Sequence, residues 1–346
     1  MADVGVLVVG GGPVGLAAAI EARRAGHDVV VLEPRTPPVD KACGEGLMPG
    51  TLAAVRRLGV DPPGWDLAGI SYRQDGRVAD HRFADGPGRG VRRTALHAAL
   101  HAAALEAGVT VLARRAGAVV QDDDGVTAGG VRAAWLLGCD GLHSRVRREL
   151  GLEAPARPAG GRRPGRRRRF GLRRHYRVAP WSDLVEVHWG PRAEAYVTPV
   201  GPDLVGVALL GPPGTDVDGE LATIPELAAR LAGVAPDGPV RGAGPLRVRT
   251  TARARGRVRL VGDASGYVDA LTGEGLRVGF AQARAAVAHL DDGGTYERAW
   301  RALTRDDRWL TAGLVSAATS PVRRAVVPAA ARAPGLYGAV VERLAR

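Results

Sequence analysis

The first part of the chain alternates short apolar runs with one longer amphipathic run. Residues 4–9 read VGVLVV, residues 16–26 read LAAAIEARRAG, and residues 27–33 read HDVVVLE. Unbroken Val and Leu are typical of strands buried on both faces of a parallel sheet, while the middle run has helical spacing and ends in a glycine. The pattern predicts a strand, helix and strand in one βαβ unit.

Three later runs extend this prediction. Residues 51–59 and 92–108 have helical spacing and each ends in glycine, and VTVLA at 109–113 follows as a third parallel strand. Residues 70–83 place Asp75-Gly76 between two short β-like runs, which predicts a hairpin that interrupts the parallel-sheet domain. Two further β-like runs surround residues 121–125 and end in AAWLLGCDG at 133–141.

The second half is richer in strand patterns. Between residues 162 and 255 we predict one helix, at 224–232, and a sheet-rich domain. A buried strand at 257–266, a helix at 275–290 and a helical tail broken by Pro321, Pro328 and Pro334 complete the chain. The sheet-rich domain includes the runs LVEVHWG, EAYVTPVG and LVGVALLG, at residues 184–190, 194–201 and 204–211.

Composition narrows the class of protein. The chain of 346 residues has a formal net charge of +12, but only Lys41 among its 48 basic residues is a lysine. A chain-wide arginine bias with few aromatic residues argues against nucleic-acid binding, and we interpret the dense run Arg162 to Arg169 as a solvated loop. Two cysteines without metal-ligand spacing favour the cytosol, and neither a signal peptide nor a membrane-spanning run is expected.

A glycine motif lies where the first strand meets the first helix. Gly10, Gly12 and Gly15 have GxGxxG spacing, with Pro13 at the start of the helix, and Glu33 ends the next strand. Such glycines allow a tight turn, let a pyrophosphate approach backbone N–H groups, and let the helix pack closely on the strand, while the acid binds a ribose. The context predicts dinucleotide binding, by NAD or FAD.

Two further motifs favour FAD. CDGLHSRVRREL at 139–150 contains Asp140, and VRLVGDASGYVDALTGEGLRVGFAQA at 258–283 contains Asp263 and the turn Gly273-Glu274-Gly275. A carboxylate beside several backbone N–H groups can hold a polyol hydroxyl and favour negative charge on a reduced flavin ring.

Together these motifs resemble the p-hydroxybenzoate hydroxylase-type flavoprotein fold. The resemblance covers most of residues 1–295 and implies an α/β protein: a Rossmann-like FAD-binding domain with an inserted β-sheet substrate domain and C-terminal helices. It also implies Asp263 on the ribityl chain or pyrophosphate, Gly273 and Gly275 at the pyrimidine edge of the flavin, and Arg93 near the phosphates.

The reaction class stays open within that fold. Many related monooxygenases carry His after GDA and a GQG turn, whereas this chain has Ser265-Gly266 and TGEG; KACGEG and TGEG resemble the geranylgeranyl reductase family, and the halogenase signature WxWxIP is absent. We favour a monooxygenase acting on an apolar or aromatic small molecule. The alternatives are a reductase acting on a carbon–carbon bond and a non-catalytic electron-relay flavoprotein.

Three residues are candidates for catalysis. Cys43 lies in a glycine-rich loop expected at the flavin, where Lys41 would favour a thiolate, although a small residue chosen for packing also fits. His188 and Tyr196 lie on β-like runs of the second domain, either face of which could meet substrate. NAD(P)H or a separate reductase would supply electrons.

These patterns divide the chain into three parts. The FAD-binding domain takes residues 1–68, 91–155 and 256–295, the substrate domain takes 69–90 and 165–255, and 296–346 form a C-terminal helical segment. That segment is amphipathic, and it fits a covering layer, a dimer surface or a platform for a lipid-like substrate.

Overall fold

The computed structural model describes residues 4–155 and 168–346. The predicted boundary at residue 165 and most of the run Arg162 to Arg169 lie outside the described residues. Within them, ten helices and a short 3-10 turn at Gly262–Ser265 alternate with eighteen strands. The helices are α1 Pro13–Arg24, α2 Pro49–Arg57, α3 Arg93–Glu106, α4 Arg145–Glu149, α5 Val217–Ala222, α6 Pro225–Arg230, α7 Gly275–Ala288, α8 Gly293–Ala318, α9 Arg323–Arg332 and α10 Pro334–Ala345.

The strands form three sheets, in which β1, β2, β8, β11 and β18 run parallel to one another as the core of the first. They are β1 Val4–Val9, β2 Val29–Leu32, β3 Gly46–Leu47, β4 Trp65–Leu67, β5 Gly69–Gln74, β6 Arg77–Arg82, β7 Gly88–Gly90, β8 Thr110–Leu112, β9 Val120–Gln121, β10 Val126–Ala128, β11 Val131–Gly138, β12 Phe170–Tyr176, β13 Leu184–Trp189, β14 Glu194–Gly201, β15 Leu204–Gly211, β16 Pro236–Ala243, β17 Ala254–Arg255 and β18 Val258–Leu260.

The first sheet is buried on both faces, as its unbroken apolar runs require. Along β1, Val6 and Val8 pack into the core that holds α1, α3 and α7, while Leu7 and Val9 pack into a second core on the opposite face. The order β18-β11-β1-β2-β8 places the carboxyl ends of β1, β2 and β11 at one edge. Ligands of such sheets bind at that edge, so the glycine motif stands where a dinucleotide is expected.

The second sheet has the order β16-β12-β15-β14-β13-β5-β6 and is here called the covering sheet. The predicted hairpin is confirmed: β5 and β6 pair across a turn in which Asp75 and Gly76 both have positive φ, of 49° and 74°. Through β5, which runs parallel to β13, the hairpin supplies the edge of this sheet.

Several sequence predictions need correction. Helix α5 is not among the predicted elements. Its six residues are too few to show the hydrophobic repeat of a helix in the sequence. Pro328 does not break the tail but lies inside α9. Strand β7 belongs to a small third sheet with β3 and β4, and β17 pairs with β18 of the first sheet, so neither lies in the covering sheet. The three-part domain division remains a prediction.

The C-terminal helices pack on the covering sheet through α9 and α10, whose Val327, Tyr337 and Val341 share a core with Ile70 and Tyr72 of β5. No helix among the described residues combines the length and apolar character needed to cross a membrane.

Candidate functional site

The three glycines of the motif meet different surroundings. Gly10 has φ +104°, and a Cβ added to Gly15 would lie 1.8 Å from the Gly10 carbonyl oxygen. A Cβ added to Gly12 would meet nothing within 4 Å. Gly10 and Gly15 are therefore required by the protein itself, whereas Gly12 leaves open space at the N-terminus of α1, where Pro13 is the first helical residue.

Glu33 directly follows β2 and lies beside Gly11 of the glycine motif. Its carboxylate accepts hydrogen bonds from the Gly11 N–H at 3.0 Å and from the Arg35 guanidinium at 2.8 Å. Burial acts to raise the pKa of Glu33, but the hydrogen bonds from Arg35 and Gly11 outweigh it, and the net pKa lies below its ordinary value. An anionic acid thus stands at the predicted ribose position.

Arg93, the first residue of α3, provides a buried cation close to Arg35 and the Cys43 thiol. Its side chain is nearly buried, and its Nη1 atom has no hydrogen-bond partner among the described residues. Burial lowers the pKa of this guanidinium. A buried, unsatisfied cation needs an anion, and the pyrophosphate of a dinucleotide supplies one.

Asp140 uses one of its two carboxylate oxygens to contact the start of helix α4. Its Oδ2 accepts the backbone N–H groups of Arg145 and Val146, at 2.6 and 3.1 Å, so the carboxylate caps α4. Only its buried Oδ1 atom lacks a partner among the described residues. Cofactor binding by Asp140 stays a prediction, with Oδ1 as the oxygen left without a partner in the described part of the chain.

Asp263 is available for a ligand. Its carboxylate makes no hydrogen bond or ion pair with the described residues, and burial raises its pKa despite the opposing charges of Lys41, Arg93 and Arg147. Three cations near one unpartnered carboxylate are consistent with the predicted hydroxyl-binding group at the flavin.

The turn before α7 is open at Gly273, which has φ +71° and would meet nothing within 4 Å with a Cβ. Gly275 begins α7, and a Cβ added to it would lie 3.5 Å from the ring of Tyr267, at ordinary contact distance. Glu274 instead pairs with Arg277, and burial raises the pKa of Glu274 to about 7. The two glycines thus fit a flavin edge, whereas Glu274 contacts protein.

Cys43 lies in the loop between β2 and β3, close to the charged side chains of Arg93 and Glu45. The Glu45 N–H donates to its sulfur at 3.4 Å. Contrary to the expected thiolate, burial raises the pKa of the Cys43 thiol, and Arg93 offsets this only in part. Cys139 is buried, as predicted for a packing residue, and burial also raises its pKa.

A buried polar network holds the Cys43 loop against the covering sheet, and the sequence does not reveal it. Arg173 donates to Nδ1 of His175 at 2.9 Å, so His175 donates from Nε2 to Glu45, at 2.6 Å. Arg173 also bonds Asp40, and Thr198 donates to the Gly44 carbonyl at 2.9 Å. These contacts join two parts of the chain that are more than one hundred residues apart, which no local motif signals.

Tyr196 and His188 lie on opposite faces of the covering sheet. Tyr196 is opposite Val187 in the antiparallel pair, and its hydroxyl donates to the Leu271 carbonyl at 3.0 Å, within the loop that follows Asp263. Burial raises the pKa of Tyr196 well above its ordinary value, so the phenol keeps its proton. His188 contacts Glu186 at 3.0 Å on the far face. The structure therefore does not support a catalytic His188.

A second buried network is equally invisible in the sequence. Arg169 bonds Glu194 at 2.7 Å and Asp269 at 3.0 Å, and Arg323 bonds Glu194 at 2.9 Å. The interpretation of Arg169 as part of a solvated loop is wrong, because this residue is only 5% exposed. Its partners explain the burial, because paired carboxylates offset the cost of taking a guanidinium out of water.

Comparison with known proteins agrees with this geometry. Residues 3–160 match the family model described as an FAD binding domain. The predicted cofactor, FAD, is thereby confirmed, and the open Gly12 cradle, the unpartnered Arg93 and the free Asp263 carboxylate suit its pyrophosphate and ribityl chain.

Two relatives are informative. The chain is 37% identical over 167 residues to menaquinone reductase from Mycolicibacterium smegmatis, an alignment covering 42% of this chain and 39% of that protein. It is 34% identical over 173 residues to rifampicin monooxygenase from Streptomyces venezuelae, covering 44% of this chain and 35% of that protein. The matches thus span less than half of these relatives.

The whole fold is also known. The p-nitrophenol 4-monooxygenase from Pseudomonas putida superposes with a TM-score of 0.80 at 21% identity, over 99% of this chain and 96% of that one. This likeness confirms the predicted fold: a Rossmann-like FAD-binding domain, an inserted β-sheet domain and C-terminal helices.

Proposed function

We propose that the protein is a FAD-dependent monooxygenase that hydroxylates or epoxidises an apolar or aromatic small molecule. The observation that carries the proposal is the apolar face of the covering sheet. Tyr72, Val187 and Trp189 share a core with Leu271, which lies on the loop following Asp263. When reduced, FAD supplies oxygen activation, and an apolar cover keeps water from that chemistry.

The chain's own residues would divide the work as follows. Gly12 and Arg93 hold the phosphates, Glu33 the adenosine ribose and Asp263 the ribityl chain. Tyr196, protonated and fixed on the Leu271 carbonyl, orients the loop against the covering sheet. NAD(P)H or a separate reductase is the proposed electron source, and the cytoplasm the proposed location.

A second candidate is reduction of a carbon–carbon bond. Cys43 favours it, because a thiol whose pKa is raised keeps a proton that can be donated near the flavin. The similarity to a protein named menaquinone reductase, over 42% of this chain, also favours a reductase over an oxygenase.

Oxygen uptake separates the candidates. Purified protein loaded with FAD is mixed with NADPH or NADH and a panel of aromatic and polycyclic compounds, and uptake of O₂ is followed with an electrode. A monooxygenase shows uptake stimulated by one compound class, with an oxygen atom from labelled O₂ in the product. Anaerobic saturation of an alkene by the reduced protein, without oxygenated product, would contradict the proposal in favour of the reductase. Flavin reduction without turnover of any compound would favour an electron relay.

A further inference from the structure

A cavity beside the FAD-binding residues contains an arginine with no acidic partner among the described residues. Asp263 and Gly275 line it, as do Thr304, Arg308 and Thr311 of α8. The other acidic residues of the lining are paired with Arg169 or Arg277; they are Asp269, Glu274 and Asp307. A Cβ built on Gly266 would lie 3.6 Å from Nη1 of Arg308. Among residues 4–155 and 168–346, the Arg308 guanidinium makes no ion pair or hydrogen bond, and contacts the face of Trp300 at 5.2 Å.

Two more arginines lie close to Arg308, because Val248 pairs with Tyr267 in an isolated antiparallel bridge that sets Arg249 opposite Gly266. Residues 246–250 alternate buried Leu246 and Val248 with exposed Arg247 and Arg249, so both arginines point outward from one side of the segment. Neither guanidinium forms an ion pair within the described part of the chain. Arg253 lies nearby, 3.8 Å from the centre of the Trp300 ring, and is paired with Glu297.

The convergence of these charges is electrostatically unfavourable in the protein alone. Burial lowers the pKa of Arg308, and the charges of Arg253, Arg247 and Arg249 lower it further. Like charges at short range repel, and guanidinium groups bind phosphate oxygens in a bidentate geometry. An anion bound here would pair with the guanidinium groups of Arg247, Arg249 and Arg308.

We propose that Arg247, Arg249 and Arg308 bind the phosphate groups of a small molecule that enters the cavity beside FAD. The phosphates of FAD are assigned to Gly12 and Arg93, so this is a second phosphate site. Resting on the proposed function, the molecule is the nicotinamide nucleotide that reduces FAD, because the same cavity reaches Asp263 and Gly275. NADH and NADPH share a pyrophosphate, and only NADPH adds a 2′-phosphate.

The binding experiment uses the FAD-loaded protein and inorganic pyrophosphate as the probe. Wild type, Arg308→Gln and the double variant Arg247→Gln/Arg249→Gln are titrated by calorimetry. The control is Arg305→Gln, also on α8, whose side chain is 80% exposed and pairs with Asp306. We expect wild type and control to bind alike, and the two test variants roughly ten- to hundredfold more weakly. Absent binding to wild type, or equal binding to all four proteins, overturns the proposal.

Arg308→Lys keeps the charge and replaces Arg308→Gln if the latter does not fold. It should bind pyrophosphate more weakly than wild type, because an ammonium group cannot reproduce the bidentate contact. Wild-type affinity in Arg308→Lys together with wild-type affinity in the double variant counts against the site.

Anaerobic flavin reduction distinguishes the sources of the phosphate. In the test variants, the nucleotide concentration giving half-maximal reduction should rise roughly tenfold or more, with the limiting rate little changed. A rise for NADPH alone assigns the 2′-phosphate to the site, and a rise for both nucleotides assigns the pyrophosphate; unchanged values overturn the proposal. If neither nucleotide reduces wild type but the calorimetric result holds, the phosphate site stands and the electron donor in the proposed function is wrong.

Discussion

The dinucleotide loop and the covering sheet build their parts of the site in different ways. The loop uses backbone geometry: Gly10 and Gly15 pack against protein, and Gly12 leaves space for the ligand, all within six residues. The covering sheet uses buried side-chain networks, such as Arg169 with Glu194 and Asp269, drawn from three distant segments. Cofactor binding is thus encoded locally in the sequence, whereas the position of the covering sheet depends on charge pairs between distant segments.

The largest expected effect tests the loop. In Gly15→Ala the new Cβ would lie 1.8 Å from the Gly10 carbonyl oxygen, so backbone must move, and we expect a loss of more than about 4 kcal/mol in the free energy of unfolding. Gly12→Ala should leave the apoprotein's stability unchanged but weaken FAD binding. Denaturant unfolding measures the stability and FAD titration measures the affinity. Equal free energies of unfolding for the two apoprotein variants would show that Gly15 is not needed for packing.

The next largest effect tests the charge pairs that hold the covering sheet. Arg169→Met leaves Glu194 and Asp269 buried with fewer cations, and breaking such a pair costs about 3–5 kcal/mol. Arg168→Met is the matched control, because Arg168 is the exposed neighbour. Urea unfolding should separate the two variants. Similar midpoints would show that the network does not hold the covering sheet.

The same contrast decides what the sequence alone can predict. The βαβ unit, the Asp75-Gly76 hairpin and the FAD motif are predictable because each is local and periodic or has fixed spacing. Networks such as Glu45 with His175 and Arg173 are not predictable, because their members are far apart in sequence and each residue alone looks like an ordinary surface charge. The prediction for His188 is unsupported because strand alternation separates the two faces without saying which one meets the flavin.

A smaller effect is expected at Glu274, in the turn before α7. The pKa of Glu274 is raised to about 7, above its unfolded value, so between about pH 4.5 and 7 the folded apoprotein binds a proton that the unfolded chain does not. Its contribution to the free energy of unfolding therefore falls as pH rises through that window, by about 3 kcal/mol. Glu274→Gln should remove this fall. The free energy of unfolding of the variant should therefore rise relative to that of wild type between about pH 5 and pH 8. Parallel pH profiles of the two proteins would contradict this.

The smallest effect compares the two faces of the covering sheet. Tyr196→Phe removes the hydrogen bond to the Leu271 carbonyl, lowering the free energy of unfolding by about 1 kcal/mol and altering the visible spectrum of bound FAD. His188→Gln, on the far face, should leave that spectrum unchanged. A spectral change in His188→Gln, but none in Tyr196→Phe, would reverse the assignment of the faces.

Titration of the apoprotein with FAD tests the central claim most directly, namely that local backbone geometry with Arg93 and Asp263 forms the FAD site. Calorimetry is performed on wild type, Arg93→Gln, Asp263→Ala and the exposed control Arg305→Gln. We expect one FAD per chain for wild type and control, and roughly ten- to hundredfold weaker binding for the two site variants, because each loses a charge-assisted hydrogen bond. Absence of FAD binding in wild type, or equal affinity in all four proteins, would contradict the account.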